Sequence, residues 1–255
     1  MTAGGPLGAD GRTLIVAVDH PLYSWPCAGL EDRASVLRAV SAAGADAVIC
    51  SYGTLRDLRE AFGGAAPILK LDVTTLAVGG HYPASEYALG YRVEDAERLG
   101  AAAVLTYVQL GTPFELDALR TAARVAVRAD ELGVPYVCEI MPVEGETYPD
   151  PAAPLAIAAA ARTAAELGAR IVKTTMPDPP EAMADVAECG IPVVLAGGDL
   201  DADGDRLLDR VRRALDAGAA GVAHGRNVWG RSDPGAAVAA LRALVHPEPA
   251  AGDRG

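Results

Sequence analysis

The stretch Gly168-Ala-Arg-Ile-Val172 joins a glycine that can end a helix to the start of an apolar, β-branched run. Glycine just past a helix end accepts the left-handed conformation that closes the helix, and β-branched residues favour strands. The stretch therefore predicts an α-to-β junction. The same pattern recurs at Gly44-Ala-Asp-Ala-Val48, Gly100-Ala-Ala-Ala-Val104 and Gly218-Ala-Ala-Gly-Val222, and with proline at Gly133-Val-Pro-Tyr-Val137 and Gly190-Ile-Pro-Val-Val194.

These six junctions, with the apolar runs at 13–18 and 67–70, predict eight strands. The segments between them have helical spacing, as in the run of Leu207, Leu208, Val211 and Leu215 on one face and the run of Leu116, Leu119, Ala123, Val127 and Leu132. Strands with little polar alternation, separated by helices, favour a parallel sheet covered on both sides. Eight such units in 255 residues predict a single (β/α)8 barrel over residues 1–255, with a flexible tail at 246–255.

Charge and composition exclude several classes of function. The net charge of −12 provides no basic field to attract nucleic acid or an anionic membrane, so an anionic substrate would need local groups to hold it. No apolar run approaches the roughly 20 residues of a membrane-spanning helix, and no signal-peptide pattern is visible. The four cysteines lack a C-x-x-C pair and are expected to be buried thiols. A cytoplasmic protein is predicted.

Lysine usage singles out two positions. The chain has two lysines, Lys70 and Lys173, against twenty arginines, and both follow apolar runs that are typical of strands. Arginine supplies positive charge, but only lysine provides an amine that can lose its proton and attack a carbonyl. The retained lysines therefore become candidates for chemistry.

The ends of the predicted strands test this idea, because active sites of (β/α)8 barrels lie at the carboxyl ends of the strands. Amines, carboxylates and a phenol all fall there. The candidate catalytic residues at these ends are Asp19, Lys70, Tyr107, Glu139 and Lys173. A barrel with a purely structural role would not collect such side chains on one rim.

Glycines after strands seven and eight indicate a phosphate site. Gly197-Gly198 and Gly225-Arg226 would bring backbone N–H groups and a guanidinium to a ligand, in the position where such barrels commonly bind phosphate. His20 and Thr175, after strands one and six, complete the candidate binding residues. The substrate is therefore expected to be a small phosphorylated sugar or ketose.

Lys173 is the candidate nucleophile, because it would lie beside this phosphate site. Desolvation and a second cation such as Lys70 would favour its neutral form. Asp19 and Glu139 would move protons, unless they only form salt bridges to Lys70 or Arg226. Tyr107 would either donate a hydrogen bond into the pocket or merely line it. The histidines lack metal-ligand spacing, so no metal is expected.

Five motifs together resemble a known family: Asp19-His20, Ile68-Leu-Lys-Leu-Asp72, Val172-Lys-Thr174, Val194-Leu-Ala-Gly-Gly198 and Gly225-Arg-Asn-Val-Trp229. They are similar to the archaeal-type class I fructose-bisphosphate aldolases, within the wider group of DeoC and DhnA-like Schiff-base aldolases. The resemblance spans about 13–244. It implies that Lys173 is the Schiff-base lysine, that Asp19 and Lys70 are polar groups of the active site, and that the four Gly and Arg residues hold phosphate. It also implies a homo-oligomer, often a decamer.

One motif departs from the family. The archaeal aldolases carry a Tyr-Pro pair after strand five, with the tyrosine in proton transfer, whereas this chain has Met141-Pro142. Glu139 instead resembles the catalytic glutamate of tagatose-bisphosphate and sulfofructose-phosphate aldolases. The departure affects the expected substrate rather than the Schiff-base chemistry.

The sequence thus predicts a lyase: a class I, metal-independent aldolase that needs no cofactor beyond a covalent Schiff base on Lys173. It would cleave or form a C–C bond in a phosphorylated ketose, with a donor like dihydroxyacetone phosphate. Three alternatives remain open on the same barrel: a sugar-phosphate isomerase or epimerase that uses Asp19 and Glu139 as acid and base, a thiolase-like relative, and a non-catalytic sugar-phosphate-binding protein.

Overall fold

Eight parallel strands close into a barrel in the computed structural model, which describes residues 5–78 and 86–247. Each barrel strand pairs with the next one along the chain, and the last pairs with the first. This confirms the predicted (β/α)8 fold. The barrel strands are β1 (Thr13–Ala17), β3 (Ala47–Cys50), β4 (Ala66–Lys70), β8 (Ala103–Leu110), β9 (Tyr136–Pro142), β10 (Ile171–Thr174), β11 (Val193–Ala196) and β12 (Gly221–His224).

Four short strands of the described residues lie outside the barrel sheet. Strand β2 (Ser24–Trp25) pairs in parallel with β6 (Ala77–Val78), and β5 (Asp72–Val73) pairs antiparallel with β7 (Ala88–Leu89). They follow β1 and β4, so they extend the carboxyl-terminal rim of the barrel on one side.

Helices follow the barrel strands along the chain. The α-helices are α1 (Arg33–Ala42), α2 (Tyr52–Asp57), α3 (Val93–Arg98), α4 (Glu115–Glu131), α5 (Pro154–Glu166), α6 (Met183–Ala187), α7 (Gly204–Asp216), α8 (Arg226–Trp229) and α9 (Pro234–Val245). Aspartate side chains accept hydrogen bonds from first-turn backbone N–H groups at α1, α7 and α9, which satisfies donors that have no partner within the helix.

The six junction glycines adopt the conformation that the sequence predicted. Their φ angles lie between 66° and 109°, in the left-handed region that favours glycine. Each closes the preceding helical segment and directs the chain into the next barrel strand, so the repeated pattern in the sequence sets the repeated unit of the fold.

Buried residues form two groups, one inside the barrel and one between the barrel and the helices. The predicted helix at α4 is present, but only part of its proposed apolar pattern contacts the core, where Leu119 and Leu132 are half-buried. Leu116 and Val127 are 60% and 62% exposed. The helix buries small side chains instead, chiefly alanines, and these allow it to pack closely against the strands: Ala118, Ala122, Val125, Ala126 and Ala129.

The two ends of the described chain meet at the amino-terminal end of the barrel. The His246 ring lies 2.7 Å from carboxylates of both Asp10 and Asp46. His246 begins the predicted tail, and residues 248–255 lie outside the described residues. Within residues 5–78 and 86–247, no helix has both the length and the apolar character needed to cross a membrane.

Candidate active site

Strand periodicity places the chemical side chains inside the barrel. Ile171 belongs to the apolar barrel interior, and Lys173, two residues further along β10, therefore projects to the same side. The same step leads from interior Val137 to Glu139 on β9. On β4 and β8, too, a polar residue follows an interior apolar residue by two positions. The four interior polar residues at the carboxyl ends of their apolar runs are Lys70, Tyr107, Glu139 and Lys173.

A cavity of about 680 Å³ opens at this end of the barrel. Ten of the eleven predicted site residues line it, and only Asp19 does not. The lining members are Lys70, Tyr107, Glu139, Lys173, His20, Thr175, Gly197, Gly198, Gly225 and Arg226. The residues at the strand ends thus share one cavity.

Lys173 and Glu139 form a buried ion pair at the bottom of the cavity. Their Cα atoms are register partners on β10 and β9, so the two side chains emerge side by side. Lys173 Nζ lies 2.7 Å from Glu139 Oε1, and the side chains are 7% and 12% exposed. A carboxylate in direct contact with an amine can accept its proton and return it to a reacting atom.

Lys70 lies in a separate cluster, which we call the aromatic end. Its Nζ is 2.7 Å from Asp72 Oδ1, and both side chains are 2% exposed. The ring centroids of Tyr23, Tyr87 and Tyr107 lie 5.9, 5.2 and 5.5 Å from the same Nζ, within cation–π range. Sequence reasoning did not identify Tyr23 and Tyr87, because neither follows a barrel strand directly.

The aromatic end keeps Lys70 charged. Burial works against the charge, but the nearby carboxylates, led by Asp72, outweigh it and raise the pKa of Lys70 above its ordinary value. Asp72 balances the charge locally, while Glu139 balances Lys173 in the same way. The expected help from Lys70 in neutralising Lys173 is therefore offset by Asp72.

Tyr107 connects the two clusters. Its backbone N–H donates to Asp72 Oδ2, and its hydroxyl lies 3.7 Å from Met141 Sδ. Burial raises the pKa of Tyr107 to about 12, with the Glu139 charge acting in the same direction. The phenol therefore stays protonated at neutral pH and can donate a hydrogen bond, but it is a poor base.

The opposite side of the cavity, the anion end, consists of Gly197, Gly198, Gly225 and Arg226. The backbone N–H groups of the three glycines donate to no acceptor within the described residues. Arg226 pairs with Asp199 at the rim. Unpaired amides beside a guanidinium suit an anionic group.

Close packing explains why glycine is needed in this wall. A Cβ atom added at Gly225 would come within 2.6 Å of His20 Cε1, and one at Gly197 within 2.9 Å of the His224 ring. The His20 ring packs against Trp229, with centroids 5.1 Å apart. Burial, reinforced by the Lys173 charge, lowers the pKa of His20 to about 3, so the ring is neutral. It supports the wall as an uncharged group.

The cavity lining concentrates cationic side chains in a chain whose net charge is −12. Among the described residues, the charged side chains of the lining are Lys70, Lys173, Arg206, Arg210 and Arg226 together with Glu139, Asp199 and Asp201. Asp72 offsets Lys70 from outside the lining. An anionic substrate thus meets local cationic groups in the cavity, although carboxylates lie beside them.

Asp19 lies behind the cavity wall. It is 2% exposed, its Oδ1 is 3.7 Å from His20 Nδ1, and that oxygen accepts no hydrogen bond within the described residues. Its charge acts on Lys70 across the cavity wall without direct contact with a ligand. Within the same residues, no group of three His, Cys, Asp or Glu side chains is arranged to hold a metal ion.

Comparison with known proteins adds an independent line of evidence. The model of the family described as DeoC/LacD family aldolase matches residues 13–231. A 2-amino-3,7-dideoxy-D-threo-hept-6-ulosonate synthase of Halobacterium salinarum is 36% identical over 94% of this chain and 89% of its own length. A 2-amino-4,5-dihydroxy-6-oxo-7-(phosphonooxy)heptanoate synthase of Streptomyces griseus is 35% identical over 92% and 85%.

Other similar proteins include a second kind of enzyme and a solved structure. A 3-hydroxy-5-phosphonooxypentane-2,4-dione thiolase of Enterobacter is 31% identical over 92% of this chain and 76% of its own length. An archaeal fructose-1,6-bisphosphate aldolase, solved with its catalytic lysine covalently bound to the carbinolamine intermediate, superposes with a TM-score of 0.83 at 30% identity and covers 94% and 96% of the two chains. The match over most of the barrel shows that this chain belongs to the DeoC/LacD family of aldolases.

Proposed function

We propose that this protein is a Schiff-base aldolase in which Lys173 forms the covalent intermediate. The observation that carries the proposal is the contact of 2.7 Å between Lys173 Nζ and Glu139 Oε1 at the bottom of the cavity. That contact pairs an amine with a proton acceptor. The anion end on one side and the aromatic end on the other leave room for a donor and an aldehyde.

The reaction begins at Lys173. Its neutral amine adds to the ketone carbon of the substrate, the carbonyl oxygen takes up a proton, and the resulting carbinolamine loses water to give a protonated imine. The positive nitrogen then draws electrons from the bond between the α and β carbons. When Glu139 takes the proton of the β-hydroxyl group, that bond breaks, the aldehyde leaves and an enamine remains.

Two further steps regenerate the free Lys173 amine. The α carbon of the enamine takes a proton, and water adds to the imine and releases the ketone from Lys173. In the synthetic direction the enamine attacks an aldehyde instead. Tyr107 can donate a hydrogen bond to a substrate oxygen, while Asp19, outside the cavity, acts through the field it exerts on the site rather than by contact.

The anion end is proposed to hold the phosphate of the donor. Three glycine N–H groups and the Arg226 guanidinium offer charge-assisted hydrogen bonds to phosphate oxygens. With the phosphate there, the ketone of a three-carbon donor can face Lys173. Neither this binding nor the chemistry at Lys173 requires a metal or another cofactor.

The names of two relatives suggest the class of product. Both synthases are named for heptanoate-type products with a 2-amino group and a keto group at C6. In the phosphorylated product the hydroxyl at C4 lies β to that ketone, so an aldolase would break the C4–C5 bond. The pieces are dihydroxyacetone phosphate and 2-amino-4-oxobutanoate. We propose the same donor class here, with an amino-acid aldehyde as a candidate acceptor.

A product assay tests the proposal. The protein is incubated with dihydroxyacetone phosphate and either 2-amino-4-oxobutanoate or glyceraldehyde 3-phosphate, and products are identified by mass spectrometry. A condensation product that disappears with Lys173→Ala supports an aldolase. Conversion of the donor into an isomer would support the isomerase alternative, and tight binding without turnover would support the binding protein.

The thiolase-like alternative has one specific observation in its favour, the relative of that name at 31% identity. A thiolase transfers an acyl group to a thiol, so it needs a thiol co-substrate. Cleavage of a phosphorylated 2,4-dione that depends on added coenzyme A would favour it over the aldolase.

A further inference from the structure

Asn227 lies beneath the anion end and is 2% exposed. Its side-chain amide contacts the loop that follows β11 at three points. Nδ2 donates to the carbonyl oxygens of Gly197 and Asp199, each at 2.8 Å, and Oδ1 accepts the backbone N–H of Asp201 at 2.9 Å. One buried side chain thus holds a segment of five residues.

These contacts need a primary amide. Both hydrogens of Nδ2 are used, and Oδ1 supplies the acceptor that the same loop requires. Aspartate would lose both donors, and glutamine would be longer by one methylene group. Since part-buried carbonyls left without donors are costly, removal of the amide would let the loop rearrange towards water.

The loop held by Asn227 carries half of the anion end. Gly197 and Gly198 present their amides from it, and Asp199 on the same loop pairs with Arg226. Asn227 itself follows Arg226 in α8, after β12. Asn227 therefore fixes the position of the β11 loop relative to the helix that carries Arg226. The amides of the loop and the Arg226 guanidinium then border the same part of the cavity.

We infer that Asn227 is a positioning residue that preorganises the anion end for the phosphate of the donor, an inference that rests on the proposed phosphate site. It does not line the cavity and does not touch the reacting atoms. Its contribution is to hold donors in the geometry of the bound anion before the ligand arrives, which lowers the cost of binding.

The test compares a phosphorylated donor with its unphosphorylated analogue. Asn227→Ala should raise the KM for dihydroxyacetone phosphate about tenfold or more, as misplaced binding groups do. It should leave the KM and kcat for dihydroxyacetone within about twofold, and it should weaken competitive inhibition by inorganic phosphate to the same degree as the KM rises. Asn227→Leu, close to asparagine in shape, provides a second variant if the alanine variant does not fold.

Asp233→Ala is the matched control. Asp233 caps α9 by accepting the Ala236 N–H at 2.9 Å, and this bond joins no residue of the β11 loop, so its loss should not move the anion end. The control should lower the melting temperature and leave both KM values unchanged. Equal losses for the two donors in the folded Asn227 variants would overturn the inference, because a purely structural residue affects both alike.

The failure of the inference can be told from the failure of the proposed function. If the native protein binds inorganic phosphate and Asn227→Leu binds it equally well, the phosphate site stands and the role of Asn227 is wrong. If the native protein shows no preference for the phosphorylated donor and no inhibition by phosphate, the proposed phosphate site fails, and the inference fails with it.

Discussion

Lys173 Nζ lies 2.7 Å from Glu139 Oε1, and the two residues are direct register partners on neighbouring parallel strands. Parallel pairing places both side chains on the same face of the sheet, which here is the barrel interior. The geometry of the backbone therefore creates the amine–carboxylate contact. The register of β9 and β10 thus places a candidate nucleophile, Lys173, beside a proton acceptor, Glu139.

Replacement of Glu139 tests the role of the proton acceptor. Glu139→Gln keeps the size of the side chain but removes its charge, so kcat should fall by about 10²–10⁴, the range for loss of a general acid–base group. Glu144→Gln, on an exposed position after the same strand, is the control and should keep full activity. A kcat within threefold of the native value in Glu139→Gln would contradict the proposed role.

Lys70 should matter for stability through Asp72. Lys70→Met leaves the buried Asp72 carboxylate without its partner, which should lower the free energy of unfolding by about 3–5 kcal/mol in urea titrations. The double variant Lys70→Met/Asp72→Asn removes both charges but keeps an acceptor for the Tyr107 N–H, so it should recover much of that loss. If the double variant still forms a covalent adduct on Lys173, Lys70 is not required to neutralise the nucleophile. Loss of the adduct would restore that role to Lys70.

Arg226 should discriminate donors by their phosphate. A hydrogen bond to a charged group contributes about 1.5–3 kcal/mol, so Arg226→Gln should raise the KM for a phosphorylated donor by about 10- to 100-fold. Arg210→Gln is a matched control, since Arg210 lines the same cavity but is not part of the anion end, and its guanidinium lies 3.9 Å from Asp178. The measurement is the steady-state KM of each variant for dihydroxyacetone phosphate and for dihydroxyacetone. An equal effect from the two arginines would place the phosphate elsewhere.

Stability should fall in weak acid because of a buried histidine. Burial, helped by the Lys173 charge, lowers the pKa of His224 to about 4. The unfolded chain, with an ordinary pKa near 6.5, binds the proton first, so the native state loses stability as pH falls from about 6.5 to 4. The contribution of His224 across that window is about 3 kcal/mol. His20, with a pKa lowered to about 3, acts in the same direction.

Urea denaturation between pH 4.5 and 8 measures this effect. His224→Leu removes one titrating group, so its stability should vary less with pH below about 6.5 than that of the native chain, whatever its absolute value. Between pH 7 and 8 the two curves should run parallel. If the free energy of unfolding falls equally steeply below pH 6.5 in His224→Leu and in the native chain, His224 does not titrate as its burial implies.

Much of the fold and the site could be predicted from the sequence because both depend on local patterns. A glycine after a helix and a β-branched run after the glycine are features of neighbouring residues, and they located six of the eight barrel strands, while apolar runs alone located the other two. Strand ends then identified Lys173, Glu139 and Arg226 as residues that share one rim. All three line the cavity.

What the sequence did not reveal depends on contacts between distant segments. Tyr87 reaches Lys70 from a segment between short strands, and its path is not encoded in any periodic pattern. Asn227 was visible only as part of a motif, because its three partners lie 26 to 30 residues away. Asp19 follows a strand as expected, but the chain turns there into a short 3₁₀ helix at His20–Leu22, and the carboxylate lies behind the wall.

Borohydride trapping on Lys173 tests the central claim most directly. The chain has only two lysines, so Lys70 serves as an internal control. After reduction in the presence of dihydroxyacetone phosphate, peptide mass spectrometry should find the reduced adduct on Lys173, trypsin should no longer cleave after that residue, and Lys70 should be unmodified. Lys173→Arg should give no adduct. An unmodified Lys173 in the native protein, or an adduct on Lys70 instead, would contradict the account.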